Sequence, residues 1–174
     1  MRYLSIDVLR MMAIFVMVLV HFAENLAGTI LPIAGLGAPV FAFLSGCSYK
    51  LWLAGVERKQ IPENEIFRIS MRRGLFVFSV GLLFNVLVWF PEEIFNWDVL
   101  TFIGAALIFL NLTRRLPLQV LIAIAVVALL ISPFLRAMAD YNSYWQQLYF
   151  DPDMTLPDVV IGFLAVGYFP FFPW

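Results

Sequence analysis

Apolar segments of membrane length constrain the fold of this chain more than any other feature of its sequence. Five of them lie at about 8–26, 30–53, 74–90, 99–112 and 118–135, and a sixth would begin near Asp158. A bilayer core is crossed by a helix of about 20 residues, and backbone groups that face lipid must be satisfied within their own segment. The pattern therefore predicts an all-α fold, a polytopic integral membrane helix bundle with five to six transmembrane helices of a larger bundle.

The composition agrees with this class and argues against several others. Hydrophobic residues make up 63% of the chain and charged residues only 13%, whereas soluble domains are about half apolar and about a quarter charged. No basic stretch alternates with aromatic residues, so we expect no nucleic-acid partner. With one cysteine, Cys47, and one histidine, His21, the chain lacks the four Cys or His ligands of a structural zinc site, and we expect no metal.

The basic residues indicate how the helices are oriented. Ten of the eleven lie before the first segment, at its start, near the end of the second segment, or in the connections after the second and fourth segments, and only Arg136 lies on the opposite side. Since cytoplasmic connections carry the excess of Lys and Arg, we expect a cytoplasmic N-terminus. Arg10 then lies at the cytoplasmic end of the first helix, and His21 lies in the outer half of the membrane.

The two ends of the sequence bear on how complete the chain is. Only Arg2 precedes the first segment as a basic residue, Asp7 and Arg10 interrupt the approach, and no A-x-A site follows, which argues against a cleavable signal peptide. The final stretch, GYFPFFPW, is apolar and aromatic without a polar tail. We therefore expect residues 1–174 to form a single transmembrane domain that is C-terminally incomplete.

Arg10 and His21 have the most informative spacing of the ionisable residues in the first segment. Eleven residues at about 100° each bring both side chains to one helix face, about 16 Å apart along the axis. Asp7 precedes Arg10 by three residues and lies on nearly the same face. Because an ionisable residue at membrane depth is costly, it marks a functional site by default.

Each of these side chains has a functional and a structural interpretation. The imidazole of His21 suits a general acid or base near neutral pH, or it packs and hydrogen-bonds against a neighbouring helix. The forked guanidinium of Arg10 suits an anionic ligand that enters from the cytoplasm, or it anchors the helix end and pairs with Asp7. The shared face favours the functional interpretation of His21, and an Asp7 pair that orients Arg10 fits both interpretations of Arg10.

A second group of cations lies at the start of the third segment. Arg72 and Arg73 enter this segment from the predicted cytoplasmic side and, with Arg68, would complete a phosphate-binding cluster with Arg10. The positive-inside rule explains each of these arginines equally well. Both interpretations stay open at this point.

Small residues interrupt the second segment at LSGCS. Ser45 and Gly46 permit close approach of another helix or of a slender ligand, and helix packing is the more common reason for such residues. Cys47 is a weak candidate nucleophile, since nothing in the sequence activates its thiol. Asp98 opens the fourth segment on the outer side, where we expect it to cap the helix; it is also a candidate to reach the level of His21.

Four stretches carry a resemblance to a known family. RYLSIDVLRMMAIFVMVLVHF has an Arg-x10-His spacing in an IDxLR context, and APVFAFLSGCSY, FNWDVLTFIGAALIFL and GYFPFFPW support it along nearly the whole chain. Together they resemble the transmembrane acyltransferase superfamily, closest to bacterial relatives of the heparan-α-glucosaminide N-acetyltransferase catalytic domain. The family usually has Gly after the Arg, whereas this chain has Met11, so the approach of a ligand or helix at that point differs.

The resemblance implies acyl transfer across the membrane. The donor would be a cytoplasmic acyl-CoA, usually acetyl-CoA, and the acceptor an amine or hydroxyl of an extracytoplasmic sugar or glycan. The expected location is the lipid bilayer of a bacterial inner membrane, and the oligomeric state, a homo-oligomer included, stays open. The implied site residues are one catalytic, five donor-binding and two orienting residues: His21; Arg10, Ser45, Gly46, Arg72 and Arg73; and Asp7 and Asp98.

Two other classes of protein stay open beside this one. A secondary transporter or export component would use Arg10 and His21 as a substrate or proton pathway; transporters often carry inverted repeats, and this sequence shows no repeat. A non-catalytic assembly subunit would use His21 for structure alone. Consumption of acyl-CoA separates both classes from the acyltransferase.

Overall fold

The computed structural model describes residues 4–89, 94–95, 97–138 and 155–172. All regular secondary structure in these ranges is helical, which confirms the expected all-α class. The helices are α1 Leu4–Ala27, α2 Ala34–Arg58, α3 Glu63–Trp89, α4 Val99–Thr113, α5 Leu118–Met138 and α6 Leu156–Ile161, which continues as a π-helix over Gly162–Val166.

Among the described helices, three are long and apolar enough to cross a membrane: α1, the Glu63–Val88 part of α3, and α5. α4 and the combined helix Leu156–Val166 are apolar but shorter. α2 has 25 residues, and it carries Lys50 and Arg58 in its second half. Since about 20 apolar residues suffice for a span, these helices make the chain an integral membrane protein.

The sixth predicted segment is shorter than expected. It is helical only over Leu156–Val166, about 16 Å of rise, whereas the hydrocarbon core of a bilayer is about 30 Å thick. The chain then folds back onto this helix. The N–H of Phe171 donates to the carbonyl of Phe163, and the N–H of Phe172 donates to that of Leu164, both at 2.8 Å.

Arg136 supplies a hydrogen bond that the backbone at this break lacks. Ala165 lies in the last turn before the helix ends at Val166. In a continuous α-helix its carbonyl would accept from the N–H of Phe169, four residues further along, but that N–H donates to the carbonyl of Trp97. The residue five positions on is Pro170, which has no N–H. The Nε of Arg136 in α5 donates to the Ala165 carbonyl at 3.4 Å, so this arginine, the one basic residue on the predicted outer side, completes the end of an interrupted helix.

The chain divides into two compact units, Met1–Ile66 and Phe67–Trp174, and the division falls within α3. In the first unit α1 packs against α2, and Ala13 and Val20 are the buried residues of α1. Because seven residues advance an α-helix by almost two full turns, these two side chains share one face. Their small size lets the two helices approach each other.

In the second unit, glycines bring α3 and α4 close together. A Cβ added to Gly81 of α3 would lie 2.8 Å from the backbone nitrogen of Thr101 in α4. Gly104 of α4 lies against the backbone of Phe78 in the same way. Small residues of this kind let helix backbones approach where the surrounding lipid supplies no hydrophobic driving force.

Candidate active site

The polar side chains of α1 lie along one flank of the face that packs on α2. At about 100° per residue, Arg10 lies about 60° and His21 about 80° from the buried Ala13, in the same rotational direction. α1 is continuous from Leu4 to Ala27, so no break separates the two residues. The predicted common face of Arg10 and His21 is therefore present on an unbroken helix.

Arg10 pairs with Asp7 at the beginning of this flank. The Nη1 of Arg10 lies 3.6 Å from the Oδ1 of Asp7, and the two side chains are 39% and 43% exposed. A guanidinium has five N–H donors in a planar fork, so one carboxylate contact leaves donors that point elsewhere. The predicted pair is confirmed, and its exposure leaves the arginine accessible to an anionic group.

His21 lies near the other end of the flank. Its side chain is 66% exposed, and its Nδ1 lies 3.9 Å from the Oε2 of Glu24 one turn further along α1. Sequence analysis missed this neighbour, although the i,i+3 spacing that brings two side chains together on a helix surface was visible in the sequence. The imidazole is thus accessible and has a carboxylate beside it.

The small residues of α2 lie in the same unit as this flank. Ser45 donates its hydroxyl to the carbonyl of Phe41 at 2.8 Å, so its remaining capacity is that of an acceptor. A Cβ added to Gly46 would meet no heavy atom within 4 Å among the described residues. Gly46 therefore borders open space and does not serve a close helix contact there, while Cys47 is a half-buried free thiol.

Arg72 and Arg73 are exposed and lie in the first half of α3. They belong to the second unit, whereas Arg10 belongs to the first. The cluster that these three cations were expected to form stays a prediction. The side chains of Arg10, Arg72 and Arg73 are all at least partly exposed, as binding of a phosphate ligand would require.

Asp98 caps α4, as the sequence predicts. Its Oδ1 accepts from the N–H of Val99 at 2.5 Å, and its carbonyl accepts from the hydroxyl of Thr101 at 2.6 Å. A carboxylate at a helix N-terminus also complements the positive end of the helix dipole. Asp98 therefore has a structural role at the start of α4, and its reach to the level of His21 stays a prediction.

Trp97, which lies just before α4, bonds both to α6 and to the segment that follows the helix end at Val166. Its Nε1 donates to the carbonyl of Val159 at 3.1 Å, and its own carbonyl accepts from the N–H of Phe169 at 3.0 Å. The indole meets the ring of Phe163 edge-on at 5.0 Å between centroids. Trp97 has a φ of 54°, a strained value for a bulky residue, which the contacts on its side chain and backbone hold in place.

Two buried asparagines stabilise the second unit in a way that sequence analysis missed. The Nδ2 of Asn85 donates to the carbonyl of Ile94 at 3.2 Å, and that of Asn111 donates to the carbonyl of Phe67 at 3.1 Å. Within the described part of the chain, neither Oδ1 has a hydrogen-bond partner. Polar side chains that bond across helices are typical of membrane bundles, so a lone Asn in an apolar segment was the available signal.

The flank of α1 lies in a chain that matches one known protein family along nearly its whole length. The family model described as heparan-alpha-glucosaminide N-acetyltransferase, catalytic, matches residues 2–174. Comparison with curated proteins and with solved structures gave no match. The matched range includes the whole flank of α1 with Arg10 and His21, and it confirms the resemblance carried by their spacing. The chain thus belongs to the family of the heparan-alpha-glucosaminide N-acetyltransferase catalytic domain and is a membrane acyltransferase.

Proposed function

We propose that the protein transfers an acetyl group from cytoplasmic acetyl-CoA to an amine or hydroxyl of an extracytoplasmic sugar or glycan. The observation that supports this best is the flank of α1. It presents an accessible guanidinium, Arg10, and an accessible imidazole, His21, in a chain of an acetyltransferase family. At about 1.5 Å per residue they stand about 16 Å apart, so one helix carries a phosphate-binding end and an acyl-transfer end.

The charge distribution supports the direction of transfer. Ten of the eleven basic residues lie on the side of the N-terminus by the predicted topology, which makes that side cytoplasmic; the proposed location is the inner membrane of a bacterium. Arg10 would then bind donor phosphates through its planar fork, oriented by Asp7. Arg72 and Arg73 would add cations for the same phosphates.

The acyl-bearing arm of the donor would run along α2 toward His21. Gly46 leaves open space beside the helix, and Ser45 retains an acceptor for an N–H group of the arm. Both residues belong to the same compact unit as α1. Asp98, the cap of α4, would act indirectly by fixing the start of that helix.

His21 would act as the general base. The acceptor nitrogen or oxygen attacks the thioester carbon and gives its proton to the imidazole. The carbon–sulfur bond breaks, and the imidazolium returns the proton to the CoA thiolate. Such proton transfer contributes about 10²–10⁴-fold to a rate. Attack by His21 itself to form an acyl-histidine is a second route with the same overall balance.

The decisive experiment measures acceptor-dependent release of CoA thiol by the purified full-length protein, with a panel of amino sugars and glycans. His21→Ala should lower kcat about 100-fold or more. Phe22→Ala is the matched control, because Phe22 is the exposed next residue of α1 and has no proton to exchange. Near-normal turnover by His21→Ala would overturn the role of His21. Absence of thiol release with every acceptor, from folded protein that binds no acetyl-CoA, would favour a transporter.

A separate experiment addresses Arg10. A hydrogen bond to a charged group contributes about 1.5–3 kcal/mol, so Arg10→Gln should raise the KM for acetyl-CoA about tenfold or more and leave kcat nearly unchanged. Arg58→Gln, at the exposed end of α2, is the charge-matched control and should leave KM close to that of wild type. An equal rise of KM in both variants would mean that the cations act only through general electrostatics.

A further inference from the structure

The imidazole of His21 has one carboxylate beside it, and the two side chains lie on the same helix. The distance of 3.9 Å joins the Nδ1 of His21 to the Oε2 of Glu24, and the side chain of Glu24 is 38% exposed. This is an ion-pair distance, longer than the 2.7–3.2 Å or so of a hydrogen bond. Catalytic hydrogen bonds are often long before substrate binds and shorten in the reacting complex.

Hydrogen bonds at the end of α1 hold the turn that carries both residues. The Nδ2 of Asn25 donates to the carbonyl of His21 at 2.8 Å, and the N–H of Gly28 donates to the carbonyl of Glu24 at 3.2 Å. Gly28 has a φ of 61°, the left-handed conformation with which helices commonly end. The backbone positions of His21 and Glu24 are therefore fixed, and only side-chain rotation separates the pair from a hydrogen bond.

The position of Glu24 within α1 does not favour a carboxylate. Glu24 lies in the last turn of α1, at the negative end of the helix dipole, where a carboxylate is unfavourable and a cation is favourable. A protonated imidazole at His21 reverses this balance, because it is attracted both to Glu24 and to the helix end.

We infer that Glu24 is the positioning residue of His21. Its carboxylate accepts the Nδ1–H of the imidazole, which leaves Nε2 without a proton and directed at the acceptor substrate. When Nε2 takes the acceptor's proton, Glu24 stabilises the imidazolium and stays ionised itself. The bond between acceptor and acyl carbon forms, the bond to sulfur breaks, and the proton passes from Nε2 to the thiolate. This role rests on the proposed function of His21, whereas the tautomer it predicts does not.

The first test reads the tautomer directly. His21 is the only histidine of the chain, so labelling with ¹⁵N-histidine gives the signals of one imidazole. At alkaline pH, where the spectrum shows a neutral imidazole, wild type should show the Nδ1–H tautomer. Glu24→Leu should lose that preference, and Glu24→Gln, which keeps an acceptor oxygen, should retain much of it. The same tautomer in wild type and Glu24→Leu would overturn the inference whatever the activity.

The second test separates positioning from folding. Glu24→Leu should lower kcat about tenfold or more, a part of the 10²–10⁴-fold or so that a general base supplies, and should leave the KM for acetyl-CoA unchanged. Glu24→Gln should be less affected, because it still orients the ring. Glu57→Leu, an exposed glutamate near the end of α2, is the control for loss of one carboxylate. Unchanged kcat in Glu24→Leu would overturn the positioning role, whereas full activity of His21→Ala would overturn the proposed function.

Discussion

Gly104 of α4 lies against the backbone of Phe78 in α3, so closely that a Cβ at this position would overlap the amide of Phe78. α4 has only 15 residues, yet it contains more buried residues than any other described helix of the second unit. The glycine makes this possible by bringing two backbones together at one point. The contact therefore controls the packing of α4.

Gly104→Ala should destabilise the protein although alanine is the better helix former. Forcing extra volume into a packed contact costs about 1–3 kcal/mol. At Gly55, where a Cβ would meet no atom within 4 Å, the same substitution should stabilise α2 by up to about 1 kcal/mol. Thermal unfolding in detergent should thus show opposite shifts of Tm for the two variants. A similar rise of Tm in both would mean that α3 and α4 are not in close contact.

Two replacements at Asn111 should differ sharply. Asn111→Leu removes the bond to the Phe67 carbonyl but also the unpartnered Oδ1, so its stability should stay within about 1.5 kcal/mol of wild type. Asn111→Asp places a carboxylate against that carbonyl, and an uncompensated buried charge costs about 3–5 kcal/mol. Chemical unfolding of both variants at neutral pH measures the difference. Equal stability would show that Asn111 is hydrated and does not contact Phe67.

Replacing Arg136 should destabilise the end of the helix at residues 162–166 and the segment that follows it. The Ala165 carbonyl would lose its donor, and a buried group without a partner costs about 1–3 kcal/mol. Hydrogen exchange at residues 162–172 should accelerate about tenfold or more in Arg136→Leu. Arg136→Lys keeps a donor without the planar fork, and it should lie between wild type and the leucine variant. Exchange at wild-type rates in both variants would exclude a capping role.

Thr155 should control the ionisation of Asp158 at the start of α6, a helix too short to span the membrane. The hydroxyl of Thr155 donates to the Asp158 carboxylate at 2.5 Å, its backbone N–H donates at 2.9 Å, and these bonds hold the pKa of Asp158 below its ordinary value. A lowered pKa means that the contribution to stability is present at neutral pH and is lost as the pH falls through the folded-state pKa. In a carbon-13 NMR titration, Thr155→Val should raise the pKa of Asp158. No change would leave the backbone N–H as the sole cause.

Local features of the fold were predictable from the sequence because a helix repeats every 3.6 residues. That period sets the common flank of Arg10 and His21 and the pairing of Arg10 with Asp7. The same period places Glu24 beside His21, at i,i+3. The cap at Asp98 was predictable for a similar reason, since its carboxylate bonds the residue that follows it.

The class of this protein follows from its sequence alone: an apolar, helical membrane chain that resembles an acyltransferase family and carries a cation and an imidazole on one helix. The point at which the sixth helix ends, and the residues that bond to that end, depend on tertiary packing. The contacts of Trp97 with Val159 and of Arg136 with Ala165 join residues 62 and 29 positions apart. Such contacts depend on how whole helices pack. The sequence does not predict that packing, because apolar side chains of a membrane helix pack equally well against lipid and against another helix.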